Sequence, residues 1–323
     1  MNFVCGYHDA DLRDATGLGH GRLIAAHATR PGRDCWLPRL LAGDLAGIAI
    51  TEPNGGSQVH AITATATTHR DGSWRLTGTK TWISRLHEAA VFIVFFKDPA
   101  GNLCAGIIDA RSPGLRREQI LPAGLTGWSW GELRLDDVPV PPKDVLGQPG
   151  EGMTLLREHF AHYRPLVAAT ALGAAAAAHD QVARCLSARR GSGVIADLRD
   201  NALISLGRSY AQISAALLAT LTAFRLSAAT HPLAELWGCA VKAHAVDTAF
   251  AAASELTLLT GASGFTASSR LTKAIGDLGA LRYADGIHDS LYRSAGRALT
   301  PPAAPHLIPL SQPPAHAGGL IHA

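Results

Sequence analysis

The chain has 323 residues, 47% hydrophobic and 17% charged, which supplies a sizeable core with room for two domains and excludes a disordered or fibrous protein. Its formal net charge of +3 is small and the 29 basic residues are scattered, so neither nucleic acid nor an anionic membrane surface is an expected partner. Five cysteines (Cys5, Cys35, Cys104, Cys185, Cys239), odd in number and with no CxxC pair, point to free thiols in a reducing compartment, with the cytoplasm expected and no metal site.

From the start to Arg13 no apolar run resembles a signal peptide, because Tyr7, His8, Asp9 and Asp11 interrupt it. Up to about Gly43, short helical pieces at 21–28 and 35–42 are broken by Pro31 and Gly32, so residues 1–44 read as a residual helical segment. Between 45 and 150 the texture changes to β-branched and aromatic runs at 61–68, 74–84, 91–96, 103–108 and 132–138, predicting a compact β domain. His69-Arg70-Asp71-Gly72 between two of these runs reads as a hairpin turn.

Residues 151–299 are alanine- and leucine-rich at helical spacing, predicting four long helices near 151–188, 195–228, 232–260 and 271–299 in an antiparallel bundle. The most apolar stretch, 166–178, is mostly alanine and too short to span a bilayer; it predicts a close-packed helix and no membrane insertion. Pro165 lies inside the first helix, just after Arg164. The tail, 300–323, is rich in Pro, Ala, His and Gly and is expected outside the fold.

Two segments carry the strongest chemical signal. Thr51-Glu52-Pro53-Asn54-Gly55-Gly56-Ser57 is a strand end entering a glycine turn, where backbone amides can approach an anion or a heteroaromatic ring and the hydroxyls offer hydrogen bonds. Gly78-Thr79-Lys80-Thr81-Trp82-Ile83-Ser84 adds an indole and a hydroxyl on the next strand. Taken singly, the first is equally an ordinary loop, and a tryptophan such as Trp82 is more often a core residue than a cofactor contact.

Together they resemble the acyl-CoA dehydrogenase family, whose β domain carries a TEPxxGS turn followed by a GxKxWI(S/T) strand. The resemblance continues through Asp137-Val138-Pro139-Val140-Pro141, residues 147–152, Arg164 and Arg189 at the family's separation, and the glycine turn 261–265. Twenty residues beyond Phe265, where the family places a catalytic glutamate before a glycine, stand Asp285 and Gly286. The implied fold is α+β: a central β-barrel-like domain, then a C-terminal four-helix bundle, with a vestigial N-terminal helical segment.

The resemblance implies FAD between the β domain and the helices, held by Ile50, Thr51, Gly56, Ser57, Trp82, Ser84, Arg189 and Gly264, with Arg189 serving a neighbouring subunit of a homodimer or homotetramer. It implies an acyl thioester substrate, CoA- or carrier-protein-bound, met by Ser57, Tyr163, Arg164, Tyr283 and Gly286. It also implies an electron-transfer flavoprotein or oxygen as acceptor. Asp285 would take the α-proton, with Arg164 as its electrostatic partner; a carboxylate suits this when its surroundings tune it. The plain alternatives are a solvated aspartate late in a helix and an ordinary surface arginine. Tyr283, His288 and Asp289 would share a helix face with Asp285 at i to i+3 or i+4 spacing, either orienting it or forming a solvated face.

Several positions depart from the family: Asp285 for glutamate, Gly191-Ser192 for a Thr-Phe pair, Leu258 for a glutamine, Ile287 for a threonine, and Ala161 for an acidic residue near CoA. The last favours a carrier-protein pantetheine arm. Most of the family's helical domain before the TEP turn is absent, which opens the site to a bulky or tethered acyl group, calls for a partner, or reflects the assigned start. Beside the dehydrogenase reading stand an oxygen-using oxidase or monooxygenase on the same scaffold and a non-catalytic partner subunit.

Overall fold

The structure is a computed structural model that describes residues 1–300, so the expected tail beyond Thr300 lies outside the described residues. The chain runs through helices α1 (Asn2–His8), α2 (Arg22–His27) and α3 (Arg30–Leu41), with a 3-10 segment Ala10–Ala15 between the first two. Strands β1 (Leu45–Ala49), β2 (Thr65–Thr68), β3 (Trp74–Ser84), β4 (Ala89–Lys97), β5 (Leu103–Asp109), β6 (Leu115–Ile120), β7 (Trp130–Val140) and β8 (Val145–Leu146) follow. Helices α4 (Gly152–Gly191), α5 (Asp200–Ala228), α6 (Ala234–Leu258), α7 (Arg270–Leu281) and α8 (His288–Ala298) complete it.

The strands form one mixed sheet in the order β6-β7-β3-β2-β4-β5-β8, with β1 pairing β4 in parallel. β4 reads as an unbroken apolar run because it is central: all of Val91, Phe92, Ile93, Val94, Phe95 and Phe96 are buried between neighbours. β6 (LRREQI) lies at the other extreme, an edge strand with no fully buried residue and no alternation of apolar residues, and the sequence reading missed it. The predicted hairpin forms: the His69 amide donates to the Ser73 carbonyl at 2.8 Å, and Asp71 accepts from the Ser73 amide.

Pro31 does not break a helix; it occupies the first turn of α3, where no intrahelical donor is needed, and Thr29 caps it by accepting from the Gly32 amide. The N-terminal helical segment is short, as expected, and packed into the fold. α1 packs on the alanine-rich stretch of α4, where Val167, Ala168, Ala171, Leu172, Ala174 and Ala175 are buried. The backbones meet at Gly6 and Gly173: a methyl group on either would collide with a carbonyl of the facing helix, Thr170 or Phe3. The Tyr7 hydroxyl donates to Asp180 at 2.6 Å across the same contact.

The predicted fourth helix is two helices, broken over 282–287. Asp285 (φ 58°) and Gly286 (φ 113°) adopt left-handed backbone that a right-handed helix cannot continue through. Outward-facing Leu203, Ile204, Tyr210, Leu218 and Leu221 are exposed on α5, the one described helix long and apolar enough to cross a membrane by length and composition.

Candidate active site

Asp285 stands in the break between α7 and α8, with its side chain 11% exposed and its Oδ2 enclosed without a hydrogen-bond partner. Arg164 on α4 holds the turn by its backbone, Nε donating to the Asp285 carbonyl at 3.2 Å, while its Nη1 reaches Cys239 Sγ at 3.1 Å. The carboxylate faces Arg13 instead, whose Nη1 lies 3.9 Å from Oδ2. Thus the structure brings Asp285, Gly286 and Arg164 together, but through the turn's carbonyl. Tyr283 is 72% exposed, and His288 pairs with Asp247 at 3.0 Å. The expected helix face of Tyr283, Asp285, His288 and Asp289 does not exist, because the left-handed turn separates them.

Beneath this turn lies a buried ionic cluster. Asp14 ion-pairs with Arg85, takes Arg13 Nε at 3.3 Å, and accepts the Tyr163 hydroxyl at 2.9 Å. Burial alone would raise the Asp14 carboxyl, but the Arg85 and Arg13 guanidiniums overcome it and hold the group far below the usual carboxylate range. Tyr163, expected to face substrate, spends its hydroxyl on Asp14, and burial followed by the Asp14 charge pushes its pKa well up. His20 lies against the Tyr163 ring at 4.5 Å and meets His159 nitrogen to nitrogen at 2.9 Å. Burial drives both histidines down, His159 to about 3, so they are neutral at pH 7.

The β-domain residues gather at one end of the sheet. Glu52 anchors the glycine turn from within: it accepts from the Thr63 amide and hydroxyl (2.7 and 2.6 Å), the Ala64 amide (2.9 Å) and Lys80 Nζ (2.7 Å). Against its burial these bonds, Lys80 first, lower Glu52 to about 2, while burial lowers Lys80 to about 8. The Thr81 amide donates to the Thr51 carbonyl at 2.8 Å, which places Ile50 and Thr51 beside Trp82. A register shift of β3 against β7 between Lys80 and Ile83 turns Trp82 outward at φ 59°, leaving the indole 56% exposed. Ser84 is half-buried, and Gly56 and Ser57 are exposed; a methyl group on Gly56 would sit 2.8 Å from Thr51 Oγ1.

Arg189 and Gly264 belong elsewhere. The Arg189 guanidinium donates to the Thr260 carbonyl (2.8 Å) and the Ser263 hydroxyl (3.3 Å), clasping the turn that contains Gly264. Twenty-five residues of helix, roughly 37 Å at the α-helical rise, separate Arg189 from Arg164. These two residues therefore cannot share one small site with Asp285 in the same subunit.

Sequence reasoning missed Arg13, Asp14, Arg85 and Lys242. Arg85 directly follows the GxKxWIS strand, and its φ of 57° adds to those of Trp82 and Asp285. Three of the six non-glycine left-handed residues among the described residues thus lie at this site, each at a cost of about 1–3 kcal/mol. Nothing local to Arg13, Asp14 or Lys242 marks them; they are identified only by what folds against them.

Comparison with known proteins matches the same two regions. Residues 47–138 match the model of the acyl-CoA dehydrogenase middle domain, and residues 150–300 that of the C-terminal domain. A glutaryl-CoA dehydrogenase of Desulfococcus multivorans is 34% identical over 179 residues, 54% of this chain and 46% of that protein. A probable short/branched chain specific acyl-CoA dehydrogenase of Dictyostelium discoideum is 30% identical over 241 residues, 72% of this chain and 58% of that protein. The chain thus spans about half the length of these curated relatives. The butyryl-CoA dehydrogenase structure from Megasphaera elsdenii superposes with a TM-score of 0.83 at 23% identity, over 91% of this chain and 79% of that one. With both its strand and helical regions matched, this chain belongs to the acyl-CoA dehydrogenase family.

Proposed function

We propose that this protein oxidises an acyl thioester across its α and β carbons, with FAD as cofactor. The observation that carries the reading is Asp285: a carboxylate held in a left-handed turn, with one oxygen enclosed and without a hydrogen-bond partner, among Arg13, Arg164 and Lys242. A group so placed accepts a proton from an adjacent carbon acid, and the surrounding positive charge favours the anion that develops on the thioester.

The residues present suit a flavin. Trp82 presents an outward indole that the sheet backbone is strained to display, and Gly56 leaves a cradle against Thr51 that a side chain would fill. Trp82, Thr51, Ser84 and Ile50 would hold the isoalloxazine, and the amides and hydroxyl of Gly56 and Ser57 its phosphates or the substrate. Bound FAD supplies the acceptor for the hydride that leaves the β carbon. The rest is done by the chain: Asp285 takes the α-proton, Arg164 fixes the turn that carries it, and Asp14 keeps Arg13 and Arg85 in place.

For the partners we infer a homo-oligomer. It is supported by the apolar outer face of α5 and by the distance of Arg189 and Gly264 from Asp285, which leaves them free to serve a second subunit's flavin. The thioester is CoA- or carrier-protein-bound; Ala161, lying where some relatives carry an acid, supports the carrier.

The test is the visible spectrum of the purified protein, titrated without oxygen with butyryl-CoA, glutaryl-CoA and the same acyl groups on a carrier protein. Flavin bands that bleach with one of them are the expected result, and the responding thioester sets the acyl group and its carrier. A protein that takes up no FAD on reconstitution overturns the reading in favour of a non-catalytic subunit. Prompt recovery of the bands in air assigns it to the oxygen-using enzymes, whereas slow recovery leaves an electron-transfer flavoprotein as acceptor.

A further inference from the structure

Lys242, on α6, is 0% exposed. Its one hydrogen bond among the described residues is not to a carboxylate: Nζ donates to the Gly286 carbonyl at 2.8 Å. Taking an ammonium out of water costs several kcal/mol, and a methionine would fill the same space without that cost. The buried amine therefore has a local use, and its surroundings show which. Asp285 contributes most of the opposing attraction at Lys242, so the ammonium lies in the field of that carboxylate as well as on the next carbonyl.

The turn it touches needs holding. Asp285 is a left-handed non-glycine residue, and Gly286 follows at φ 113°, with Leu291 Cδ2 2.7 Å from where a methyl group would stand. Asp285 and Gly286 turn their carbonyls to donors on two different helices, Arg164 of α4 and Lys242 of α6. With both donors in place, the strained turn is gripped from two sides and the carboxylate is left to face Arg13.

We infer that Lys242 is a positioning residue: by holding the Gly286 carbonyl it locks the turn that aims Asp285 into the site. The structural half of this inference stands on geometry alone, while its functional half rests on the proposed role of Asp285.

The experiment compares Lys242→Met with Leu172→Ala, a buried truncation on α4 away from the turn. Amide exchange of the full chain is followed by mass spectrometry over 282–288. Exchange there is expected to quicken at least tenfold in Lys242→Met beyond any change in Leu172→Ala. The maximal rate of substrate-driven flavin bleaching is expected to fall at least thirtyfold in Lys242→Met, with half-saturation unchanged, and to hold in Leu172→Ala. Should Lys242→Met fail to fold, Lys242→Gln gives the same readings, because its amide falls one bond short of the carbonyl.

Unchanged exchange over 282–288 overturns the inference outright. Quickened exchange with an unchanged bleaching rate overturns its functional half. If the unmodified protein bleaches with no thioester, the proposed function fails, and the exchange comparison still decides whether Lys242 holds the turn.

Discussion

The two halves of the site are built on opposite principles. The rim formed by Thr51, Gly56, Trp82 and Ser84 is assembled from two short stretches, the turn after β1 and the end of β3, is half-buried to exposed, and owes its shape to local devices: a glycine turn, a register shift, and Glu52 bonded to Lys80 from beneath. The cluster under Asp285 is enclosed and draws Arg13, Asp14, Arg85, Tyr163, Arg164, Lys242 and Asp285 from the 3-10 segment, the end of β3, α4, α6 and the α7–α8 turn. The difference teaches where each is vulnerable. Change at the rim is expected to act on ligand binding with the fold intact, whereas change in the cluster is expected to be felt by fold and chemistry together.

The largest expected effect separates the two functions within the cluster itself. Asp285→Asn keeps nearly the same shape but cannot accept a proton, so turnover is expected to fall by about a thousandfold or more while flavin content stays unchanged. Single-turnover bleaching measures it, and an unchanged rate would remove Asp285 from the mechanism. Next comes Asp14→Ala, which leaves Arg13 and Arg85 buried without their shared carboxylate; removing one partner of a buried ion pair costs about 3–5 kcal/mol. Urea unfolding reads this directly. A loss under 1 kcal/mol would mean that the guanidiniums find other partners.

Trp82→Ala tests the rim, and it should separate binding from folding. Loss of an aromatic face is expected to weaken flavin affinity about tenfold, roughly 1.4 kcal/mol, with the unfolding midpoint of the apoprotein nearly unmoved. A large drop in apoprotein stability with normal flavin affinity would make the indole a core residue after all.

The smallest effect is a dependence on pH that spans both halves. Burial lowers Lys242 to about 7 and Lys80 to about 8 in the folded chain, against 10.5 unfolded. Between these values the unfolded chain binds more protons than the folded one, so stability is expected to rise from pH 7 to about 10. Glu52 acts in the other range: its folded pKa is lowered from 4.5 to about 2, so its contribution is present above pH 4.5 and lost as pH falls toward 2. Urea midpoints from pH 6 to 10 check the first window. A flat profile would mean that both lysines keep their protons, and Lys242→Met should flatten it in part.

Much of this was legible in the chain before it folded. The rim was readable because its determinants are contiguous: Gly55-Gly56 permits one turn, and the residues of β3 that flank Trp82 follow one another along the strand. The long helices were readable because α4 and α6 repeat small and apolar residues at helical spacing over 40 and 25 residues. Edge strand β6 was not, since a strand with one neighbour and an exposed face needs no apolar alternation. The break at Asp285 was not either, because an aspartate and a glycine in an amphipathic run are individually tolerable in a helix, and only the donors of α4 and α6 make the left-handed turn the better conformation.

What the sequence determined by itself was therefore whatever depends on near neighbours: most of the element types, the family's two motifs, and Asp285 as the candidate base. What only the tertiary structure decided was the electrostatic setting of that base. Charges interact through space, and burial multiplies their effect by removing water from between them. Arg13 and Asp285 lie at opposite ends of the described chain, and no pattern in the intervening residues announces that folding will bring them within 3.9 Å.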